Sequence, residues 1–168
     1  MRVTVHYTDP FATPEGERSP VRRFRGRLPS GVTLWTAPGP AGLTVSSTVV
    51  ADGAPARVFG LLDPESDLFD AISEHGTFAV VVLADGDRQL ADRFAGLMPA
   101  PGGLFAGGGW RGTPYGPVPE TPHPWAGCRL VDTRPAGWSV LVEAEVVDVE
   151  VADTEPLVHY RGRYRTVD

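Results

Sequence analysis

The chain has 168 residues, a formal net charge of −6, and 42% apolar and 21% charged residues, a composition that suits one compact domain with one core. No apolar run approaches the roughly 20 residues that a membrane span needs, and a net acidic chain lacks the basic surface that usually marks a nucleic-acid partner. These exclusions leave small ligands as the expected partners, with neither membrane nor nucleic acid. Arg2 is followed by polar and proline-bearing sequence without the apolar core of a secretory signal, and the single cysteine, Cys128, cannot close an intramolecular disulfide, so a cytoplasmic location is expected. Lysine and asparagine are both absent, which excludes a lysine Schiff base and any N-glycosylation sequon.

Residues 1–20 carry Pro10, Pro14, Gly16 and Pro20 among charges and read as an N-terminal arm, with one domain over 21–168. Val21 to Leu28 predicts a short helix ended by Pro29 and Gly31. Its arginines, Arg22, Arg23, Arg25 and Arg27, fit a solvated helix face. A strand over Val32–Thr36 should follow. Leu43–Val50 and Arg57–Leu62, split by the turn signal Asp52-Gly53, predict a hairpin. Asp63-Pro64-Glu65-Ser66 offers capping oxygens to a helix that buries Leu68, Phe69 and Ile72 and stops at Gly76. The apolar run Phe78–Leu83 predicts a strand covered on both faces. A second helix is expected with Asp87 as cap, Leu90, Ala91 and Phe94 as its buried stripe, and Gly96 as its end. Pro99 to Pro124 shows no periodicity and reads as a long loop or lid. Strands should then cover Cys128–Val131, Ser139–Val151 and Leu157–Arg161. In the long one the apolar set moves from Val140, Val142, Ala144 and Val146 to Val147, Val149 and Val151, which implies a bulge or bend. About seven strands, two or three short helices and no βαβ alternation predict a mainly β fold, an antiparallel barrel with helical decoration.

Chemistry-bearing motifs are few. Gly107-Gly108-Gly109-Trp110-Arg111-Gly112 matches G-x-G-x-x-G, but the prolines that follow forbid the helix whose N-terminus would hold a pyrophosphate. His6, His75, His123 and His159 stand far apart without metal-ligand spacing, so no metal site is expected. No G-x-S-x-G elbow occurs, and a phosphate loop is impossible without lysine. Thr44-Val45-Ser46-Ser47-Thr48 is hydroxyl-rich inside a predicted strand and suits either a water-facing edge or a ligand site. Trp138 suits either ring stacking or packing.

Taken in order, Ser30-Gly31-Val32-Thr33, Gly42-Leu43-Thr44-Val45-Ser46-Ser47, Ser66 before a helix, Phe78-Ala79-Val80 and Ala91-Asp92-Arg93-Phe94-Ala95-Gly96 resemble the flavin reductase family. The ending, Pro156 to Tyr164, is similar to that family's as well. The resemblance implies a split β-barrel that binds FMN or FAD at a homodimer interface, with NADH or NADPH as hydride donor. By the same resemblance Thr44, Val45, Ser46, Ser47 and Thr48 would run along the isoalloxazine, and Ser66 would help hold the flavin phosphate. Arg93, Phe94 and Ala95 would close over the flavin or its phosphate, and His159 and Tyr164 would approach from the C-terminal end. No side chain is assigned a catalytic role, because the flavin carries the chemistry while the protein orients two rings. The family often shows asparagine where this chain has Val81, and Gly-Asp-His where it has Gly137-Trp138-Ser139, the histidine belonging to the nicotinamide side. The implied function is an NAD(P)H-dependent flavin reductase that serves a flavin-dependent monooxygenase. The alternative is a flavin-binding carrier or sensor of the same fold without turnover.

Overall fold

In the computed structural model, which describes residues 19–167, Ser19 accepts a hydrogen bond from the Arg22 amide and caps α1 (Pro20–Arg25). The expected N-terminal arm falls outside the described residues except for Ser19 and Pro20. The helix stops at Gly26, before the predicted Leu28. There follow β1 (Ser30–Gly31), β2 (Thr33–Ala37), β3 (Ala41–Val45), β4 (Val49–Ala51), β5 (Arg57–Leu62), α2 (Asp67–His75), β6 (Thr77–Val82) and α3 (Arg88–Phe94). The second half supplies β7 (Trp110–Arg111), β8 (Val118–Pro119), β9 (Trp125–Ala136), β10 (Ser139–Glu150), β11 (Val158–Tyr160) and β12 (Arg163–Arg165).

All strand pairs are antiparallel, and seven strands form one sheet in the order β3-β2-β6-β9-β10-β5-β4. The expected mainly β architecture with short flanking helices is therefore present. The sheet curls, because β2 and β5 are far apart in its order yet touch: a Cβ on Gly60 would come within 2.5 Å of the Trp35 ring. Its outermost strands, β3 and β4, are consecutive in the chain but are not paired with each other, so the barrel is not closed.

The predicted strand Leu43–Val50 divides in two. Its first half pairs with β2 and its second with β5, the latter forming the expected hairpin around Asp52-Gly53. The hydroxyls between them explain the break. Leu61 N–H donates to Ser47 Oγ (2.9 Å), and Ser47 donates to Leu61 O (3.2 Å), so one side chain replaces the next rung of the ladder. Trp35 Nε1 donates to Thr48 Oγ1 (3.0 Å), Thr48 is bonded to Thr33 Oγ1 (2.8 Å), and Thr33 donates to Val45 O (2.7 Å). An indole N–H can only donate and a carbonyl can only accept, so the direction of this relay is fixed from Trp35 to Val45.

Two cores lie on opposite faces of the sheet. Inside the curl, Trp35 stacks on Phe78 (centroids 4.7 Å apart) among Val58, Leu62, Val142 and the buried face of α2, Leu68 and Ile72. On the outside, Leu34, Ala79, Val81 and Leu83 pack under Ala91 and Phe94 of α3 and under Leu157. Alternation along β6 thus sends Phe78 and Val80 to one core and Ala79 and Val81 to the other, as its unbroken apolar run predicts. Cys128 is fully buried in the inner core, and burial pushes its thiol pKa up to about 12. The shift of phase in the long strand is real: β10 carries an extra residue, Val147, between Val146 and Asp148, while opposite the Glu143–Ala144 step the extra residue is Val131 on its partner β9. Past Val146, however, Val147 and Val149 face out of the core and are exposed. The Pro99–Pro124 loop also contains a ribbon that the sequence does not announce, β7 paired with β8.

Gly60 tests the curl. Gly60→Ala should lower the free energy of unfolding by about 1–3 kcal/mol through overpacking against Trp35, measured by urea denaturation. Wild-type stability in that variant would mean that the two strands separate easily.

Candidate functional site

The fold brings four segments together around one cleft of about 710 Å³, a size that accommodates a small ligand or cofactor. One wall is the start of β3, Ala41 to Leu43, and the second is the N-terminus of α2 with Ser66. The third is the C-terminal end of α3, Arg93 to Gly96, and the loop stretch Gly102 to Ala106 closes the fourth side.

Each wall has a local cause. Ser66 accepts from the Phe69 amide (3.2 Å) and donates to Asp63 O (2.8 Å), which fixes the start of α2, while Gly76 in the left-handed region (φ 70°) ends it. The unpaired amides of that first turn favour an anion, although Asp67, also on the rim, opposes one. Gly42 is needed on β3 because a Cβ would meet the Phe94 ring at 2.6 Å. Phe94, Phe105 and Trp110 form a mutual edge-to-face cluster, with centroids 4.9–5.6 Å apart, that seats the glycine-rich loop on α3. The Arg93 side chain, half-buried on the cleft wall, makes no ion pair among the described residues.

Three polar contacts hold α3 in place. Thr44 donates to Ala91 O (2.6 Å), and Tyr164 donates to Asp92 Oδ1 (2.8 Å). Burial and this carboxylate together push the Tyr164 pKa well above the usual phenol value. The third contact corrects an expectation. Asp87 gives α3 no side-chain cap; its carboxylate accepts from Ala84 N–H (2.7 Å) and from His123 Nε2 (2.7 Å). His123 is buried, and its Nδ1 faces Thr121 O (2.8 Å). Both ring nitrogens therefore point at acceptors, which requires the doubly protonated imidazolium. The hydrogen bond to Asp87 raises the His123 pKa, against an opposing effect of burial. Burial would raise the Asp87 pKa, but the bonds from His123 and Ala84 and the imidazolium charge outweigh it, leaving a net lowering.

Of the residues singled out in the sequence, Ser66, Arg93, Phe94 and Ala95 meet at the cleft. Thr44 adjoins it through α3, Val45 is buried in the inner core, and Thr48 and Ser47 are engaged in the relay and the Leu61 bridge. Ser46 is exposed. His159 and Tyr164 share one face of the β1-β11-β12 sheet with their rings edge to face at 5.8 Å, behind α3 rather than on the cleft wall. Burial, then the charge of Arg25, lowers the His159 pKa, with Asp92 opposing. Val81 lies wholly in the outer core, and Trp138 stands fully exposed at the tip of the β9–β10 hairpin. Residue-level reading missed Phe105, Asp92 and the Asp87–His123 pair. An aromatic residue isolated among glycines was the available signal for Phe105; the others depend on contacts distant in sequence.

The family model described as flavin reductase like domain matches residues 25–168. An NADPH-flavin oxidoreductase of Streptomyces viridifaciens is 34% identical over 167 residues, covering 88% of this chain and 81% of the relative. An FMN reductase (NADH), RutF, of Methylorubrum extorquens is 30% identical over 151 residues, covering 87% and 73% respectively. Among solved structures, a nitrilotriacetate monooxygenase component B homologue from Mycobacterium thermoresistibile superposes with a TM-score of 0.80 at 26% identity, covering 88% of this chain and 85% of that one.

The Asp87–His123 pair makes stability depend on pH from both sides. The raised His123 contributes fully below its unfolded pKa near 6.5 and is lost as pH rises through its folded value; the lowered Asp87 contributes above 3.8 and is lost as pH falls through its own. Denaturant midpoints of wild type and His123→Gln should therefore differ most between these limits and converge as pH rises past His123's folded pKa. A pH-independent difference would show that His123 acts by packing alone.

Proposed function

The chain belongs to the flavin reductase like domain family, and on that premise we propose that it is an NAD(P)H-dependent flavin reductase supplying reduced FMN or FAD to a monooxygenase partner. The observation that carries this reading is the cleft, whose chemistry suits a flavin mononucleotide: aromatic and aliphatic walls for a ring, and on two of those walls a helix N-terminus and a guanidinium that makes no ion pair among the described residues, both suited to a phosphate. A bound flavin supplies the hydride-accepting ring. The protein's own contribution is to hold it. Ser66 fixes the first turn of α2 so that its amides face the phosphate, and Arg93 adds a fixed positive charge. Phe94 and Ala95 wall the cleft, and Thr44–Thr48, which continue from the cleft-lining Ala41–Leu43 and include the exposed Ser46, are assigned to the polar edge of the ring. Tyr164 is a positioning residue, since its hydroxyl is committed to Asp92, and His159 packs against it. A related NADPH-flavin oxidoreductase and a related NADH reductase support the donor class, and the monooxygenase component among the structural neighbours supports the partner.

The same reading includes a homodimer in the cytoplasm. No described helix is long and apolar enough to cross a membrane. On the outer face of the curl, Val49 opposes Phe59 and Leu61 opposes Leu141, so four apolar side chains share a water-facing patch, with Val49 62% and Leu61 41% exposed. A second copy would cover it. Leu61→Glu should convert a dimer to monomers in light scattering, while a wild-type protein that is already monomeric would sink this part.

The central test is a titration with FMN and FAD followed by NADH and NADPH oxidation. Flavin-dependent turnover is expected, and Arg93→Ala should weaken flavin binding about tenfold, the worth of one charge-assisted hydrogen bond. Binding without turnover would favour the carrier or sensor. Ser46→Trp should block binding, and unchanged affinity would move the ring elsewhere.

A further inference from the structure

Although the chain is net acidic, seven of its fifteen basic residues gather in one place. Arg22, Arg23, Arg25 and Arg27 lie on α1 and its end; Arg161, Arg163 and Arg165 lie on the β11–β12 hairpin; all are exposed. The two elements touch, the Arg161 amide donating to Gly26 O at 3.1 Å. Arg23, Arg25, Arg27, Arg163 and Arg165 form no ion pair among the described residues. Arg161 is also the one described non-glycine residue with left-handed backbone (φ 51°), at a turn whose next residue is Gly162 (φ 76°). Such a turn favours asparagine or glycine at that position, so an arginine there is held against its own backbone preference.

Register defines the hairpin's two faces. His159 and Tyr164 oppose each other and turn toward Asp92; Tyr160 and Arg163 oppose each other on the other face, as do Val158 and Arg165. The outward face therefore offers an aromatic ring flanked by guanidinium groups. The hairpin's inner face is tied to the helix that bounds the cleft, since Tyr164 reaches Asp92 and the next residue, Arg93, lines the cleft wall, so the arginine-bearing face stands across the hairpin and α3 from that wall. Planar guanidinium groups suit phosphates, and a tyrosine beside them suits a base.

Building on the reductase reading, we propose that this surface binds the adenosine 2′-phosphate end of NADPH and makes the enzyme prefer NADPH to NADH. The two donors differ only by that phosphate, so a field of arginines at its place discriminates without touching the nicotinamide.

The test is the Arg163→Gln/Arg165→Gln double variant. Its KM for NADPH should rise about tenfold while NADH oxidation and FMN affinity stay within about twofold. If the variant fails to fold, wild type serves: kcat/KM for NADPH should fall more steeply with ionic strength than that for NADH. Equal constants for both donors, with equal salt dependence, overturn the proposal and leave the patch to an acidic protein surface. Calorimetry with 2′-phospho-ADP-ribose against ADP-ribose separates this from the reductase reading. Tighter binding of the phosphorylated fragment supports the proposal even if neither donor turns over, and equal binding refutes it even if both do.

Discussion

Everything on this scaffold depends on where the Trp35 ring sits. Its face lies on Phe78, its edge fills the space that Gly60 leaves on a strand four places away in the sheet, and its N–H starts the relay that ends at Val45. Burying one large aromatic side chain contributes roughly 2–3 kcal/mol in area alone. More important is what it couples. A flat seven-stranded sheet would leave β3 and β4 remote from each other, yet they are joined by only three residues. The indole sets the curvature that lets those residues span the gap, and the hydroxyls of Ser47 and Thr48 satisfy the backbone and indole groups that no strand partner reaches.

The cleft is a by-product of that curvature and of α3. Only the far side of the sheet is available to α3, which rests on Leu34, Ala79 and Val81 and is held by Thr44, by Tyr164 and, through the preceding turn, by the Asp87–His123 pair. These contacts come from the first strands, the last strand and the end of the long loop. A side chain such as Arg93 is placed by residues spread over more than a hundred positions. That is why second-layer groups in this fold bear on the site as much as those that line it.

Periodicity and breakers made the elements legible. Glycines at positions 76 and 96, the capping segment that ends at Ser66 and the two-sided apolar run of β6 all read as they fold, and so did the phase change in β10. Where reading failed, a side chain outbid the backbone pattern. The run Leu43–Val50 looks like one strand because its residues favour strands, and it breaks because its hydroxyls find tertiary partners. Asp87 resembles a helix cap, but a buried histidine 36 residues later claims it. At the cleft, Ser66 and the Arg93–Ala95 turn were accessible through family resemblance, whereas Phe105 and Asp92 needed the fold. Charge was the most misleading summary of all, since the total of −6 conceals an arginine-rich corner.

The buried thiol of Cys128 has a consequence for the chemistry around it. Reduced flavin that meets oxygen before its acceptor yields peroxide, and the sulfur most open to attack in any protein is a thiolate. Here the only cysteine lies beneath the sheet with its ionisation displaced to about 12, so near neutral pH almost none of it exists as thiolate. A protein that releases such an oxygen-sensitive product thus presents that product with no thiolate to attack.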